Sequence, residues 1–188
     1  MATTRITAGD WRGRIIETPR GLGVRPTRSM VRESLFNILA GRIVEAHVLD
    51  LFAGAGTIGF EALSRGARAV TFVERDMANT RLIAATAARL GCGERCRIER
   101  SDVAAWLRRA AEHVATADVA YLDAPYRATD LDRVLELVAA HPPALVVCEH
   151  HEQRHLPERI GRLERVRETR HGLTTLTFLQ RSTAPSTT

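Results

Sequence analysis

From residue 47 onward, short apolar runs alternate with segments whose apolar residues recur at helical spacing. The apolar runs predict strands at 47–51, 69–74, 95–100, 118–123 and 143–149. The intervening segments predict helices at 57–65, 76–90, 102–114 and 128–140. Because strands that are apolar throughout are buried on both faces, the alternation predicts an α/β fold with a mostly parallel sheet between helices.

The two ends of the chain have a different pattern. In residues 1–26, arginine, glycine and proline interrupt every apolar run, which favours a short β-ribbon or arm outside the core. The main domain is predicted over 27–181, and it opens with a helix that runs to about Ala40. It closes with an antiparallel hairpin, 162–170 and 173–180. The Ser/Thr/Pro-rich tail, 182–188, is expected to be disordered.

A glycine-rich turn joins the first strand of this domain to its helix, in the run Asp50-Leu51-Phe52-Ala53-Gly54-Ala55-Gly56. Gly54 and Gly56 permit a close backbone approach to a ligand and torsion angles that other residues rarely adopt. The third glycine does not stand where a dinucleotide fingerprint has it. The turn therefore predicts a nucleotide-like ligand other than a dinucleotide.

Acidic residues stand at the ends of three successive strands. Asp50 could hold the ammonium group of a methionine moiety, directly or through water. Glu74 could accept both hydroxyls of a ribose, and Asp102 could reach an adenine amino group. Three carboxylates fit an adenosine-type ligand with a cationic tail better than a ligand with phosphates. The pattern predicts S-adenosylmethionine (SAM) as the cofactor, bound by Asp50, Phe52, Gly54, Gly56, Glu74 and Asp102.

A second motif, Asp123-Ala124-Pro125-Tyr126, follows the fourth strand. The exocyclic amino group of a base is a poor nucleophile, because its lone pair is delocalised into the ring. A carboxylate and a backbone carbonyl that accept its two hydrogens would stabilise the positive charge that grows on nitrogen during methyl transfer. Pro125 stiffens this turn, and Tyr126 can stack on the base. The motif predicts methylation of a base nitrogen with Asp123, Pro125 and Tyr126 as catalytic residues, although a strand end with a core tyrosine would have the same sequence.

The net charge of +5 favours an anionic partner, and all 27 basic residues are arginine. A solvated basic surface would account for the same composition. The arginines near the amino terminus are predicted to contact an RNA backbone: Arg12, Arg14, Arg25, Arg28 and Arg32. Arg32 could instead pair with Glu33 or order the cofactor loop.

The remaining chemistry in the sequence is sparse. Three cysteines form no disulfide framework, and Cys92 and Cys96 lack a second ligand pair at zinc spacing. The histidine-rich segment 149–155 is interpreted as a polar loop after a strand. With no secretory signal or long apolar span in view, we expect a cytoplasmic monomer without a metal or a membrane contact.

Most of the chain resembles the RsmD family of bacterial 16S rRNA guanine-N2 methyltransferases. The resemblance is carried by Arg12-Gly13-Arg14, Arg25-Pro26-Thr27, Val31-Arg32-Glu33-Ser34-Leu35-Phe36-Asn37, Leu49-Asp50-Leu51-Phe52-Ala53-Gly54, Gly59-Phe60-Glu61-Ala62-Leu63-Ser64-Arg65-Gly66-Ala67 and Phe72-Val73-Glu74. It implies a Rossmann-like class I SAM-dependent methyltransferase fold. It also implies methylation of the 2-amino group of one guanine in 16S rRNA, within the small ribosomal subunit or its assembly intermediate.

The chain departs from this family at the catalytic motif, where Ala124 replaces a proline of the usual Asp-Pro-Pro-Tyr. The alanine keeps its carbonyl and loses one rigid ring. Two alternatives stay open. One is an amino-methyltransferase that acts on another RNA or on DNA, since the tetrapeptide also occurs in adenine-specific enzymes. The other, which Ala124 favours, is a catalytically weak RNA-binding assembly factor with the same fold.

Overall fold

The computed structural model describes residues 2–19, 26–124 and 128–182 of the chain, without the side chains of 26–28 and 128–130. The strands in this part are β1 (Ala2–Arg5), β2 (Ile15–Thr18), β3 (His47–Leu51), β4 (Ala69–Glu74), β5 (Cys96–Arg100), β6 (Val119–Leu122), β7 (Leu145–His151), β8 (Arg159–Ile160), β9 (Leu163–His171) and β10 (Thr174–Arg181). The helices are α1 (Pro26–Ile43), α2 (Thr57–Ser64), α3 (Met77–Leu90), α4 (Val103–Arg109), α5 (Ala111–Ala115) and α6 (Ala128–Ala140).

One eight-stranded sheet organises the domain, in the order β5-β4-β3-β6-β7-β10-β9-β8. Strands β3 to β7 are parallel to one another. Strand β10 runs antiparallel to both β7 and β9. The chain moves outward from β3 to β5 and then returns to the other side of β3 with β6, so the strand order reverses between β3 and β6. The predicted α/β fold with a mostly parallel sheet and an antiparallel carboxyl-terminal hairpin is confirmed.

The sheet separates two apolar cores, because successive strand residues point to opposite faces. One core contains Phe36 of α1, Phe60 of α2 and Phe72 of β4. The other contains Trp106 of α4 and Leu135 of α6.

Helix α2 packs on β4 through its backbone at Gly59. A Cβ atom at Gly59 would lie 2.2 Å from the Phe72 ring, so any other residue here would push α2 away from the sheet.

The amino-terminal β-ribbon is confirmed, but the expectation that it lies outside the core is wrong. Strands β1 and β2 pair in antiparallel register, and Ile6 and Ile16 are buried in the core cluster that also holds α1 and α2. Each side of the ribbon contributes one of these inward apolar side chains. The arginine, glycine and proline residues that interrupt the apolar runs of this segment hid the pattern in the sequence.

Buried Glu61 of α2 attaches the ribbon to the domain. Its carboxylate accepts hydrogen bonds from Thr7 N (2.9 Å), Thr7 Oγ1 (2.6 Å) and Ala8 N (3.1 Å). Arg65 Nε donates to the same group at 2.9 Å, and Arg32 Nε lies 3.4 Å away as an ion pair. The ribbon, α1 and α2 therefore meet at one carboxylate that is 0% exposed.

Two further predictions differ from the structure. The helix predicted at 102–114 is two helices that meet at Ala110, and His113 of the second lies 3.0 Å from Thr71 Oγ1. The predicted polar loop 149–155 is wrong at its start, since β7 continues to His151. Pairing with β10 extends this strand, and His150 is buried with its Nε2 2.8 Å from Thr177 Oγ1.

The search for a membrane-spanning helix and for a metal site covers only the described part of the chain. There, no helix is long and apolar enough to cross a membrane. Within the same residues, no group of histidine, cysteine or acidic side chains is arranged to hold a metal ion. Of the predicted disordered tail, 182–188, only Ser182 is described, and its N–H donates to Arg162 O at 2.8 Å. The other residues of the tail lie outside the described part.

Buried His47, at the start of β3, and half-buried His113 of α5 form a histidine pair. Thr71 Oγ1 lies 3.0 Å from His47 Nε2 and 3.0 Å from His113 Nε2. The two imidazole rings meet edge to face, with their centroids 4.8 Å apart. Desolvation, followed by the proximity of His113, lowers the pKa of His47 to about 4. Desolvation also lowers the pKa of His113, so the neutral form of both rings predominates at pH 7.

We predict that this pair makes the fold sensitive to mild acid. The pKa of His47 is near 4 in the folded protein and about 6.5 in the unfolded chain. As the pH falls, the unfolded chain therefore binds a proton at His47 before the folded protein does. Stability is therefore complete above pH 6.5 and is lost as pH falls from 6.5 towards 4. In thermal melts, His47→Asn should lose less Tm between pH 7 and pH 5 than the native protein does. Equal losses would contradict this role for His47.

Candidate active site

The reversal of strand order brings the two sequence motifs together. In the register of β3 and β6, Leu51 lies opposite Leu122, so the turn that begins at Phe52 and the segment that begins at Asp123 leave the same edge of the sheet side by side. In open parallel sheets, ligands bind at this edge, in the crevice where the strand order reverses. The candidate active site is this crevice.

The glycine-rich turn is held tightly on one side and is open on the other. The backbone N–H groups of Phe52 and Ala53 both donate to Val73 O at 3.1 Å, and Phe52 has an unusual positive φ of 65°. A Cβ atom at Gly56, where φ is 75°, would lie 2.9 Å from the Phe72 ring, which requires glycine. A Cβ atom at Gly54 would meet nothing within 4 Å. Gly54 is therefore the position at which a ligand can approach the backbone.

Glu74 closes the side of this turn at the end of β4. Its carboxylate accepts hydrogen bonds from Gly54 N and Asp76 N, both at 2.8 Å, and the residue is 8% exposed. A carboxylate offers about four acceptor positions, so these two bonds leave room for hydroxyl donors. The predicted role of Glu74 in ribose binding fits this position.

Asp50 lies beneath the turn. It is 2% exposed, and its Oδ2 accepts a hydrogen bond from Gly59 N at 2.9 Å. Desolvation by burial, partly offset by the Gly59 N–H and increased by Asp123 and Glu74, raises the pKa of Asp50 to about 7. This position gives Asp50 a part in holding α2 below the crevice. The burial does not favour a direct contact with a methionine ammonium group, and the contact through water stays a prediction.

The other predicted residues have different surroundings. Asp102 is exposed and caps α4, accepting a hydrogen bond from Ala105 N at 2.9 Å with one of its two oxygens. Asp123 is exposed at the end of β6, and Ala124 beside it is half-buried. Pro125 and Tyr126 lie outside the described residues, and their catalytic roles stay predictions.

The predicted RNA-binding arginines separate into different groups. Arg12 and Arg14 are exposed on the ribbon. Arg32 is buried, and its Nη2 donates to Arg5 O at 2.6 Å beside Glu61. This arginine anchors the ribbon and does not face an RNA surface. Arg25 and the side chain of Arg28 lie outside the described part.

Sequence reasoning missed a tyrosine–carboxylate pair in the crevice. The hydroxyl group of Tyr121, which is 4% exposed, donates a hydrogen bond to Glu149 Oε2, two residues before the end of β7. Burial, and then the charges of Glu149 and Asp123, raise the pKa of Tyr121 well above its usual value. A tyrosine inside a strand that is otherwise aliphatic was the available signal, because a buried hydroxyl requires a partner.

Comparisons with known proteins agree with this architecture. The model of a family described as conserved hypothetical protein 95 matches residues 4–180. The chain belongs to this family. It is 36% identical over 157 residues to ribosomal RNA small subunit methyltransferase D of Escherichia coli K12, covering 81% of this chain and 77% of that protein. The resemblance to the RsmD family is confirmed.

Two further relatives of this family cover almost all of the chain. YlbH of Bacillus subtilis is 32% identical over 174 residues, covering 90% of this chain and 95% of that protein. The solved structure of yhhF from Escherichia coli superposes with a TM-score of 0.83 at 30% identity, covering 97% of this chain and 99% of that one. The family fold thus includes the ribbon and the carboxyl-terminal hairpin.

We predict that Glu74→Ala weakens SAM binding by about one to two orders of magnitude, because each hydrogen bond to a charged group contributes roughly 1.5–3 kcal/mol. The same change leaves Gly54 N without its acceptor, so some loss of Tm is expected as well. Calorimetric titration with SAM is the measurement.

Asp76→Ala is the matched control for this loss of stability. It removes the cap of α3 at Asn79 N, which costs about 1 kcal/mol of folding stability. SAM affinity should be kept in this variant. Unchanged SAM affinity in Glu74→Ala would refute the assignment of Glu74 to the cofactor.

Proposed function

We propose that this protein transfers a methyl group from SAM to the 2-amino group of a guanine in small-subunit rRNA. The observation that carries the proposal is the adjacency, at one crevice, of the open turn at Gly54 and the Asp123-Ala124 segment. The open backbone at Gly54 and the carboxylate of Glu74 fit an adenosine-type cofactor. When bound, SAM supplies an electrophilic methyl group on a positively charged sulfur.

The protein's own groups would act mainly by holding the amine. The Asp123 carboxylate and the Ala124 carbonyl would each accept one hydrogen of the amino group, which favours a tetrahedral nitrogen and stabilises its growing positive charge. Alignment of the amine with the methyl donor would supply much of the acceleration. Asp123 would then take the released proton, directly or through water.

The substrate assignment rests on the relatives. Escherichia coli and Haemophilus influenzae proteins named ribosomal RNA small subunit methyltransferase D match 81% and 77% of this chain. A base inside folded RNA would have to leave its stack to reach Asp123. A small-subunit substrate, or its assembly intermediate, would place the protein in the cytoplasm.

Replacement of Asp123 tests the mechanism. Asp123→Ala removes a charged acceptor at the point where positive charge develops, and turnover should fall by about two to three orders of magnitude. SAM affinity should stay within a few-fold of the native value. Single-turnover methylation of small ribosomal subunits with labelled SAM is the measurement, and free 16S rRNA and DNA serve as comparison substrates.

Asp132→Ala is the matched control, because this aspartate is 64% exposed on α6. It should keep native turnover. Near-normal turnover in Asp123→Ala would show that the amine-holding mechanism is wrong. A native protein that methylates none of the three substrates would favour an assembly factor instead of an enzyme.

The exposed arginines of the ribbon should contribute to RNA affinity. Each arginine that no longer neutralises a phosphate should lower the slope of log affinity against log salt by about 0.7 for single-stranded RNA. The double variant Arg12→Ala/Arg14→Ala should therefore bind 16S rRNA more weakly and with a smaller salt slope, while SAM affinity is unchanged.

Removal of the whole ribbon would be a poorer test, because Ile6 and Ile16 belong to the core. Arg42→Ala/Arg133→Ala removes the same charge from two other exposed positions and is the control. Equal RNA affinity and salt slope in the two double variants would contradict a specific role for Arg12 and Arg14.

A further inference from the structure

The carboxylates of Asp123 and Glu149 lie side by side on adjacent strands at the candidate active site. Strands β6 and β7 are parallel, with Leu122 opposite Cys148, so Asp123 and Glu149 occupy the next position on each strand. Neighbouring strands lie about 4.8 Å apart. Both side chains belong to the face of the sheet that carries Tyr121, because residues two apart on a strand share a face. Two acceptors are therefore placed to meet neighbouring donors on one flat ligand.

Tyr121 keeps the Glu149 carboxylate in this position. Its hydroxyl group donates to Glu149 Oε2, and its ring is buried within the core. Burial and the nearby carboxylates raise the pKa of Tyr121, so the phenol stays protonated and remains a donor at neutral pH. A carboxylate offers about four acceptor positions, so the bond from Tyr121 orients Glu149 without using its full capacity to accept. Glu149 is half-buried, and a ligand in the crevice can therefore reach it.

We propose that Glu149 accepts the N1–H of the target guanine while Asp123 holds the neighbouring 2-amino group. Guanine carries these donors side by side on its Watson–Crick edge, whereas adenine has a lone pair at N1. Glu149 would thus determine the choice of base. This inference rests on the proposed function, because it assumes that the 2-amino group is the methyl acceptor.

Discrimination would come from the energetic cost of binding a purine that has no hydrogen at N1. A carboxylate that faces the N1 lone pair of another purine would lose its hydrogen bond and meet a repulsive charge in a partly desolvated site. Sites built to hydrogen-bond a substrate N–H reject analogues without it by factors on the order of 10⁴–10⁵. The partial exposure of Glu149 lowers this expectation to about 10²–10³.

A base analogue separates this role from a structural one. The target nucleotide is first located by mass spectrometry, and 16S rRNA with 2-aminopurine at that position is then assembled by splinted ligation and reconstituted into subunits. This analogue keeps the 2-amino group and has a lone pair at N1. The native protein should prefer guanine by about 10²–10³ in single-turnover rate.

Glu149→Gln should reduce the preference for guanine to within about tenfold. Its amide oxygen can still accept from Tyr121, and its NH₂ group can donate to the N1 lone pair of 2-aminopurine. Tyr121→Phe removes the hydroxyl group that orients the Glu149 carboxylate, so it should also lower the preference for guanine, but less than Glu149→Gln does. If Glu149→Gln does not fold, Tyr121→Phe provides the test. Glu158→Gln makes the same chemical change at a side chain that is 90% exposed and should keep the native preference.

The outcomes distinguish this inference from the proposed function. Loss of guanine preference in Glu149→Gln with unchanged SAM affinity supports the assignment. An equal fall in rate on both bases, or a retained preference, overturns it while the proposed function stands. A native protein that methylates no guanine overturns the proposed function and this inference together.

Discussion

The buried carboxylate of Glu61 is the contact on which the arrangement of the molecule depends. It receives hydrogen bonds from the ribbon at Thr7 and Ala8, and arginine partners from α1 and α2 at Arg32 and Arg65. Removal of one partner from a buried, paired charge costs about 3–5 kcal/mol, because the remaining charge is left unsatisfied. Because α2 begins directly after the glycine-rich turn, the contact that docks the ribbon also fixes the helix that supports the cofactor crevice.

The crevice itself concentrates negative charge at one edge of the sheet. Glu74, Asp50, Asp123 and Glu149 stand at or just beyond the carboxyl ends of the four adjacent strands β4, β3, β6 and β7. Burial, with its effect increased by the charges of Asp123 and Glu74, raises the pKa of Asp50 to about 7. A cationic ligand at this edge would offset the repulsion between these charges. The electrostatics of the site therefore agree with a sulfonium cofactor and disagree with a phosphate-bearing one.

The sequence predicted the parallel strands well, because burial on both faces leaves continuous apolar runs, and β3 and β4 have the predicted bounds. It could not predict contacts that only the folded chain brings together. The ribbon appeared separate because arginine, glycine and proline interrupt its apolar runs, and the sequence does not mark Ile6 and Ile16 as buried. Glu61 gave a usable signal: a charged residue between Phe60 and Ala62 on a buried helix face implies a partner. Glu149 had no such signal, since its relation to Asp123 depends on strand register across 26 residues of sequence.

Arginine content alone therefore says little about an RNA surface. Arg32 resembles Arg12 and Arg14 in the sequence, yet it is buried with a lowered pKa caused chiefly by desolvation. The planar guanidinium group of Arg32 contacts Arg5 O and the Glu61 carboxylate at the same time. The compact ammonium group of a lysine could not do this. Arg65 likewise bridges Glu61 and Thr7. Part of the basic composition is thus committed to internal contacts, and only the exposed arginines can contribute to binding by release of counterions from RNA.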